Sequence, residues 1–135
     1  MTPRPGPDRL PEHVYVVDDD AVLLAFLEAT LARSGHVVQA FADAETAWAQ
    51  AQLQPPALWL IDVRMPGLDG VALLKRLRAS PAHGATPVIM LTGSGRIDRV
   101  VEAMAAGAND YMAKPFSPQD LAEKAHAWLD RSAAP

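Results

Sequence analysis

The sequence predicts an α/β domain built around one five-stranded parallel sheet. Five short runs rich in apolar residues alternate with five segments of helical periodicity. Several of the runs are apolar without polar alternation, which is typical of parallel strands covered by helices on both faces. Strict alternation of strands and helices favours right-handed crossovers within a single sheet. A chain of 135 residues accommodates one such domain with a real core.

The five predicted strands are short and end at polar residues. They are VYVV at residues 14–17, VVQAF at 37–41, LWLI at 58–61, PVIML at 87–91 and YMA at 111–113. The first helix is predicted over about residues 21–34, with Leu23, Leu27 and Leu31 on one face and Gly35 as its stop.

The other four helices carry readable end signals. Asp43 is placed to cap the second helix; Asp69 or Gly70 opens the third, and Pro81 closes it. The run SPQD at 117–120 begins the fifth with a cap serine, a proline and an acid. The fourth ends at Gly107 and carries an apolar stripe at i, i+3, i+4 and i+7, which consists of Ile97, Val100, Val101 and Met104.

Composition excludes several classes of function. The chain has no cysteine, which excludes disulfides, thiolate metal sites and cysteine nucleophiles. A net charge of -4 and the lack of a basic stripe argue against nucleic-acid binding by this chain. No signal peptide and no apolar run of ~20 residues is present, so a cytoplasmic protein without membrane association is expected. The scattered histidines are expected to be exposed and to bind no metal: His13, His36, His83 and His126.

Domain boundaries follow from the same pattern. Residues 1–11 hold four prolines and no apolar periodicity, and are predicted to form a flexible N-terminal tail. The folded domain is predicted over residues 12–131, followed by a short C-terminal tail at 132–135.

Polar side chains stand at the carboxyl ends of four predicted strands. These residues are Asp18, Asp19 and Asp20 after the first strand, Asp62 after the third, Thr92 after the fourth and Lys114 after the fifth. Carboxyl ends of parallel strands share one edge of the sheet, where open α/β sheets bind ligands. Taken singly, each residue has an ordinary explanation as a turn residue, a helix cap or a solvated lysine.

As a set, these residues are chemically complementary. Crowded carboxylates repel one another unless a cation is present. An oxygen-only ligand set suits Mg²⁺, or the similar Mn²⁺. Lys114 can balance the charge of a phosphoryl group, and Thr92 can hydrogen-bond it. The sequence therefore predicts a metal-assisted phosphoryl acceptor with Asp62 as the nucleophile.

The blocks VYVVDDD, LIDVRMPGLDG, VIMLTG and DYMAKPF occur in this order and resemble two-component response-regulator receiver domains. The likeness runs from about Val14 to Leu129. DVRMPG, together with TGSG and VVEAMAAGA, is most similar to receivers of nitrogen-fixation and nitrate-response regulators. The resemblance implies a flavodoxin-like (βα)5 three-layer sandwich whose parallel sheet has the strand order 2-1-3-4-5.

The resemblance also implies how a phosphoryl group is received. Asp62 would accept it from a sensor histidine kinase or a phosphotransfer protein. The metal ligands would be Asp18, Asp19, Asp62 and the backbone carbonyl of Arg64. The Arg64 side chain, two residues past the acceptor, would reach the edge of the site and alter the lifetime of the phosphate, or else be solvated.

A switch is implied as well. Lys114 would pair with the phosphate, and the Lys114–Pro115 bond would be cis. Thr92 and Tyr111 would move together and change the surface formed by the fourth helix, fifth strand and fifth helix. That surface would meet a downstream protein or form a homodimer, and its candidate charges are Arg96, Arg99, Glu102, Asp120, Glu123 and Lys124.

Other interpretations remain open at this point. A degenerate receiver would act as a protein-binding scaffold without phosphorylation. A hydrolase of the haloacid-dehalogenase type would also use an aspartate nucleophile and Mg²⁺, but it requires an acid where Arg64 stands. Receivers catalyse only their own phosphorylation and dephosphorylation, so no turnover of a separate substrate is expected. The chain would be either a stand-alone receiver or a receiver excised from a DNA-binding regulator.

Overall fold

The computed structural model describes residues 13–93 and 97–133. Within them, strands and helices alternate as predicted. The elements are β1 (His13–Val17), α1 (Ala21–Arg33), β2 (Val37–Phe41), α2 (Ala44–Leu53), β3 (Leu58–Asp62), α3 (Gly70–Ala79), β4 (Val88–Thr92), α4 (Ile97–Ala105), β5 (Asp110–Ala113) and α5 (Pro118–Ala133). The predicted tail at residues 1–11 lies outside the described part of the chain. None of the helices in the described ranges is long and apolar enough to span a bilayer.

All five strands join one parallel sheet in the order β2-β1-β3-β4-β5. This confirms the order implied by the resemblance. The chain first steps from β1 out to β2, and then crosses back over β1 to β3 and continues outward. The order of strands therefore reverses at β1 and β3, and their carboxyl ends flank the crevice where such sheets bind ligands.

Apolar side chains fill both faces of the sheet, because successive residues of a strand point to opposite sides. On one face Tyr15 and Trp59 pack edge to face with ring centroids 5.2 Å apart, beneath α2 and α3. On the other face Leu60 and Ile89 pack with residues of α1 and α5, such as Leu27. Every residue of β3 and β4 is buried, so a polar group at the end of either strand meets the core.

Three aspartates begin helices. Asp20 accepts hydrogen bonds from the amides of the first turn of α1, Asp43 accepts one from Thr46 N at 2.7 Å, and Asp69 accepts one from Ala72 N at 2.9 Å. Such caps each stabilise a helix by about 1 kcal/mol. The predicted caps at Asp43 and Asp69 are confirmed.

Three of the four residues in the apolar stripe of α4 are exposed, and the fourth, Val100, is half-buried. Ile97 is 71% exposed, Val101 63% and Met104 41%. Ala103 is the buried residue of this helix. The periodicity predicted the helix correctly, but an amphipathic pattern does not say which layer the apolar face meets.

The expectation that all four histidines are exposed is wrong for His83, which is 1% exposed. Its ring lies against Trp48, with centroids 5.6 Å apart. Nε2 of His83 is 3.4 Å from the side-chain nitrogen of Gln52. Burial lowers the pKa of His83, which favours its neutral form. The loop between α3 and β4 covers the core at this point. The polar character of its sequence gave no indication that His83 is buried.

Gly70 opens α3 where its backbone lies against the end of β3. A Cβ on Gly70 would lie 1.9 Å from the carbonyl oxygen of Asp62. The amide of Gly70 donates to the carbonyl of Val63 at 3.1 Å. Only glycine fits this contact, which closes the loop that follows Asp62.

Replacing Gly70 with alanine should lower the free energy of unfolding by about 2 kcal/mol or more, because backbone must move to admit the new carbon. Chemical denaturation measures the loss. Gly93→Ala is the matched control, since a Cβ there meets nothing within 4 Å. Equal stability of the two variants would contradict the proposed steric conflict.

Candidate functional site

The site forms where four strands end at one edge of the sheet. Asp18 follows β1, Asp62 and Thr92 are the last residues of β3 and β4, and Lys114 follows β5. The amide of Asp18 donates to Phe41 O at 3.0 Å, and that of Lys114 donates to Thr92 O at 2.8 Å. These hydrogen bonds extend the sheet by one residue and fix the backbone positions of Asp18 and Lys114. The predicted convergence of these residues is therefore present.

Two of the carboxylates are removed from solvent. Asp18 is 0% exposed and Asp62 is 6% exposed, whereas Asp19 is exposed. Lys114 Nζ lies 3.1 Å from Asp18 Oδ2 and 3.3 Å from Asp62 Oδ1. One ammonium group thus bridges two buried carboxylates that come from distant parts of the chain.

Burial and the nearby Asp18 carboxylate raise the pKa of Asp62 to about 6. Burial is the main cause, and the neighbouring Asp18 carboxylate adds to it, while Lys114 acts in the opposite direction. For Lys114, burial would lower the pKa, but its contacts with Asp18 and Asp62 outweigh that effect and raise it. The lysine is therefore held in its charged form, and the Asp62 carboxylate remains poorly compensated.

The donor set fits a divalent cation. One carboxylate oxygen from each of Asp18, Asp19 and Asp62 lies within 4.8 Å of the others. Among the described residues, Lys114 is the cation paired with this cluster, so three negative charges face one positive charge. A doubly charged ion would neutralise the remainder, and hard oxygen ligands of this kind suit Mg²⁺ or Mn²⁺.

The loop after Asp62 borders the site. The amide of Arg64 lies 3.5 Å from Asp62 Oδ1 and helps to orient that carboxylate. The Arg64 side chain is exposed and lines a cleft of about 360 Å³ together with Met65, Pro66, Asp69 and Arg99. A metal-ligand role for the Arg64 carbonyl stays a prediction, as does an effect of its guanidinium on phosphate lifetime.

The two switch candidates lie on adjacent strands. Thr92 is 3% exposed, and its hydroxyl is 3.3 Å from Gly93 O, a long hydrogen bond that leaves the hydroxyl easy to redirect. Tyr111, on β5, is 41% exposed and so points away from the core. The Lys114–Pro115 peptide bond is cis, as the resemblance implied.

Asp20 has a structural role. Its Oδ1 accepts hydrogen bonds from Val22 N and Leu23 N at 3.0 and 3.2 Å, and it does not belong to the acidic cluster. Its amide donates to Asp18 Oδ1 at 2.9 Å, which orients that carboxylate. The sequence reasoning named Gly70 only as a possible start of the third helix and missed its contact with the Asp62 carbonyl. The second glycine of the GLDG run was the signal that could have shown this contact.

The candidate output charges are largely paired within the domain. Arg99 contacts Glu102 at 2.7 Å and Asp69 at 3.6 Å. Lys124 contacts Asp110 at 3.0 Å. Asp120 and Glu123 lie on α5 near this pair, and Arg96 falls outside the described residues.

Known proteins share this fold and this sequence pattern. The chain is 39% identical over 109 residues to the transcriptional regulatory protein FixJ of Bradyrhizobium diazoefficiens, covering 81% of this chain and 52% of that protein. It is 38% identical over 119 residues to the alkaline phosphatase synthesis transcriptional regulatory protein PhoP of Bacillus subtilis, covering 88% and 49%. The chain therefore spans about half the length of these relatives. The crystal structure of the receiver domain of NtrX from Brucella abortus matches with a TM-score of 0.81 and 33% identity, covering 87% of this chain and 98% of that one.

The family comparison covers almost all of the described domain. Residues 14–126 match the response regulator receiver domain. FixJ and PhoP are similar to this chain to the same degree. The chain therefore belongs to the response regulator receiver domain family of two-component signalling.

Proposed function

We propose that Asp62 is the phosphoryl acceptor of this receiver. The observation that carries the proposal is the arrangement of Asp18, Asp19 and Asp62 within 4.8 Å, with Lys114 between two of them. Such a site has excess negative charge and a single lysine. The excess charge destabilises the fold but suits the binding of a metal ion and a phosphoryl group.

In the proposed reaction, a carboxylate oxygen of Asp62 attacks the phosphorus of a phosphohistidine. The new O–P bond forms as the P–N bond breaks, and the imidazole leaves and takes up a proton. Mg²⁺ bound to the aspartates would neutralise charge on the transferring phosphoryl oxygens. Lys114 holds the phosphoryl oxygens by charge, and the Thr92 hydroxyl turns from Gly93 O to hydrogen-bond them.

The proposed phosphodonor is a sensor histidine kinase or a phosphotransfer protein. A cavity of about 480 Å³ beside Lys114 supports docking of a protein, because its lining is largely apolar. It is formed by Asp20, Val22, Leu23, Phe26, Lys114, Pro115 and Phe116. Val22 at its rim is 81% exposed. A protein seated there would bring its phosphohistidine to the edge where Asp62 lies.

Phosphorylation would be transmitted to the surface formed by α4, β5 and α5. The phosphoryl group adds about -1.5 to -2 charges, and Thr92 moves toward it. The space that Thr92 leaves lets Tyr111 turn inward from its exposed position. The exposed stripe of Ile97, Val101 and Met104 then offers an apolar contact to a second copy or to a downstream protein. The Arg64 side chain, at the edge of the site, would modulate how long the phosphate persists.

Incubation with acetyl phosphate and Mg²⁺ should add one phosphoryl mass to the wild-type chain and none to Asp62→Asn. Intact-mass spectrometry measures the addition, and chelation of the metal should abolish it. Asp43→Asn is the matched control, because Asp43 is a helix cap away from the site. Unmodified wild-type protein would favour a scaffold without phosphorylation, and modification of Asp62→Asn would place the acceptor elsewhere.

Because the pKa of Asp62 is raised, its ionised form destabilises the folded state. Because the folded pKa of about 6 exceeds the ordinary aspartate value of 3.8, the folded state binds more protons between these values, so this group's contribution to stability falls as pH rises through them. Without metal, Asp62→Asn should stabilise the domain by about 1–3 kcal/mol at pH 7 and much less near pH 4.

Denaturant titrations at the two pH values measure this difference. Addition of Mg²⁺ should stabilise the wild type more than Asp62→Asn, since the variant lacks one anionic ligand. An equal gain from the substitution at pH 4 and pH 7 would contradict an uncompensated carboxylate at this position.

Sedimentation with and without beryllofluoride and Mg²⁺ tests the homodimer. We expect beryllofluoride to increase the sedimentation coefficient, and Val101→Glu to prevent that increase because it places a charge in the apolar stripe. Glu28→Gln on α1, away from this surface, is the control. A wild-type protein that stays monomeric would remove the homodimer and leave a downstream protein as the occupant.

A further inference from the structure

Polar contacts join both ends of helix α4 to the neighbouring helix, α3. Ile97, Val101 and Met104 face outward, Val100 is half-buried, and Ala103 is the buried residue of the helix. This burial supplies less hydrophobic stabilisation than a fully buried apolar face would. The polar contacts with α3 therefore matter for the position of the helix.

The end of α4 far from the acceptor is tied firmly. Arg78, in the last turn of α3, donates from Nε to Gly107 O at 2.9 Å, just beyond α4. The same guanidinium donates to Asn109 Oδ1 at 2.7 Å, to Thr86 O at 2.8 Å and to Gly84 O at 3.3 Å. Asn109 Oδ1 also accepts a hydrogen bond from the amide of Val88, the first residue of β4. This network joins three segments of chain at a fixed point.

At the end of α4 near the acceptor, a weak ion pair joins the helix to the start of α3. Arg99, in the first turns of α4, lies 3.6 Å from Asp69 Oδ2, and Asp69 is the cap of α3. The Asp69 side chain is 40% exposed, so solvent screens the pair. The cleft of about 360 Å³ lined by Arg64 and Arg99 lies at this end.

Asp69 also belongs to the loop that carries the acceptor. The next residue, Gly70, lies so close to the Asp62 carbonyl oxygen that a Cβ would approach it to 1.9 Å. Movement of this loop therefore acts on both Asp62 and Asp69. The Arg99–Asp69 ion pair connects that movement to α4 by a route that uses neither Thr92 nor Tyr111.

We infer that α4 acts as a lever with its pivot at the Arg78 network and a releasable latch at the Arg99–Asp69 ion pair. When the latch opens, the near end of the helix moves while the far end stays fixed. Coupling of the latch to phosphorylation rests on the proposed function, but the latch and the pivot belong to the unmodified domain and are tested there. Coupling is reciprocal, so contacts made by α4 also act on the acceptor loop.

Amide hydrogen exchange tests the latch in the unmodified protein. Asp69→Asn keeps a capping side chain but removes the charge, and Arg99→Gln removes the other partner. Each should accelerate exchange of the Val101 amide by about two- to fivefold, the range expected from loss of a screened ion pair. Exchange at the Ala106 amide, near the pivot, should change less. The double variant should accelerate exchange no more than the single ones, because either substitution already removes the Arg99–Asp69 ion pair.

Glu102→Gln is the matched control, since it removes the 2.7 Å contact of Arg99 within α4 and leaves the latch in place. Unchanged Val101 exchange in Asp69→Asn, equal acceleration at Ala106, or the same effect from Glu102→Gln would each overturn the inference. Circular dichroism verifies that every variant is folded. A further comparison adds beryllofluoride and Mg²⁺: the resulting change in Val101 exchange should be smaller in Asp69→Asn than in the wild type.

These experiments distinguish failure of the proposed function from failure of the latch. If Asp62 accepts no phosphoryl group while Asp69→Asn still loosens α4, the proposed function fails and the latch stands. If Asp62 is modified but the substitutions leave α4 unchanged, the function stands and the latch is wrong.

Discussion

The burial of two neighbouring carboxylates, at the ends of β1 and β3, is the constraint on which this receiver depends. Asp18 and Asp62 are nearly removed from water, and Lys114 compensates them only in part. A fold selected for stability alone would place apolar side chains here. The domain instead retains an electrostatic deficit at one rim, which suits the proposed metal ion and phosphoryl group.

The rest of the architecture makes that deficit tolerable. The central strands are buried along their whole length, and helices cover both of their faces. Stabilisation from this core is spread over many residues, whereas the electrostatic cost is confined to four strand ends. The parallel arrangement also sets the direction of each strand, so side chains separated by almost a hundred residues, such as Asp18 and Lys114, meet without any local sequence relation.

Much of this was accessible from the sequence. Strand and helix boundaries, the caps at Asp43 and Asp69, and the grouping of polar residues at one rim follow from periodicity and from the geometry of parallel strands. The strand order came from family resemblance, because local patterns carry no information on which strands are neighbours. Burial of His83 and the outward orientation of the α4 stripe escaped prediction, since both depend on which elements pack together. The Gly70 contact depends on a backbone approach that no periodicity reports.

The loop after Asp62 contains one position, Gly70, that has no room for a side chain, and another, Arg64, whose side chain is free in solvent. At Gly70, backbone meets backbone, and any side chain would be forced into the Asp62 carbonyl. At Arg64, six residues earlier, the side chain is exposed to solvent, while the amide lies 3.5 Å from the Asp62 carboxylate. A substitution at Arg64 can therefore change the charge near Asp62 without disturbing the backbone contact that Gly70 makes.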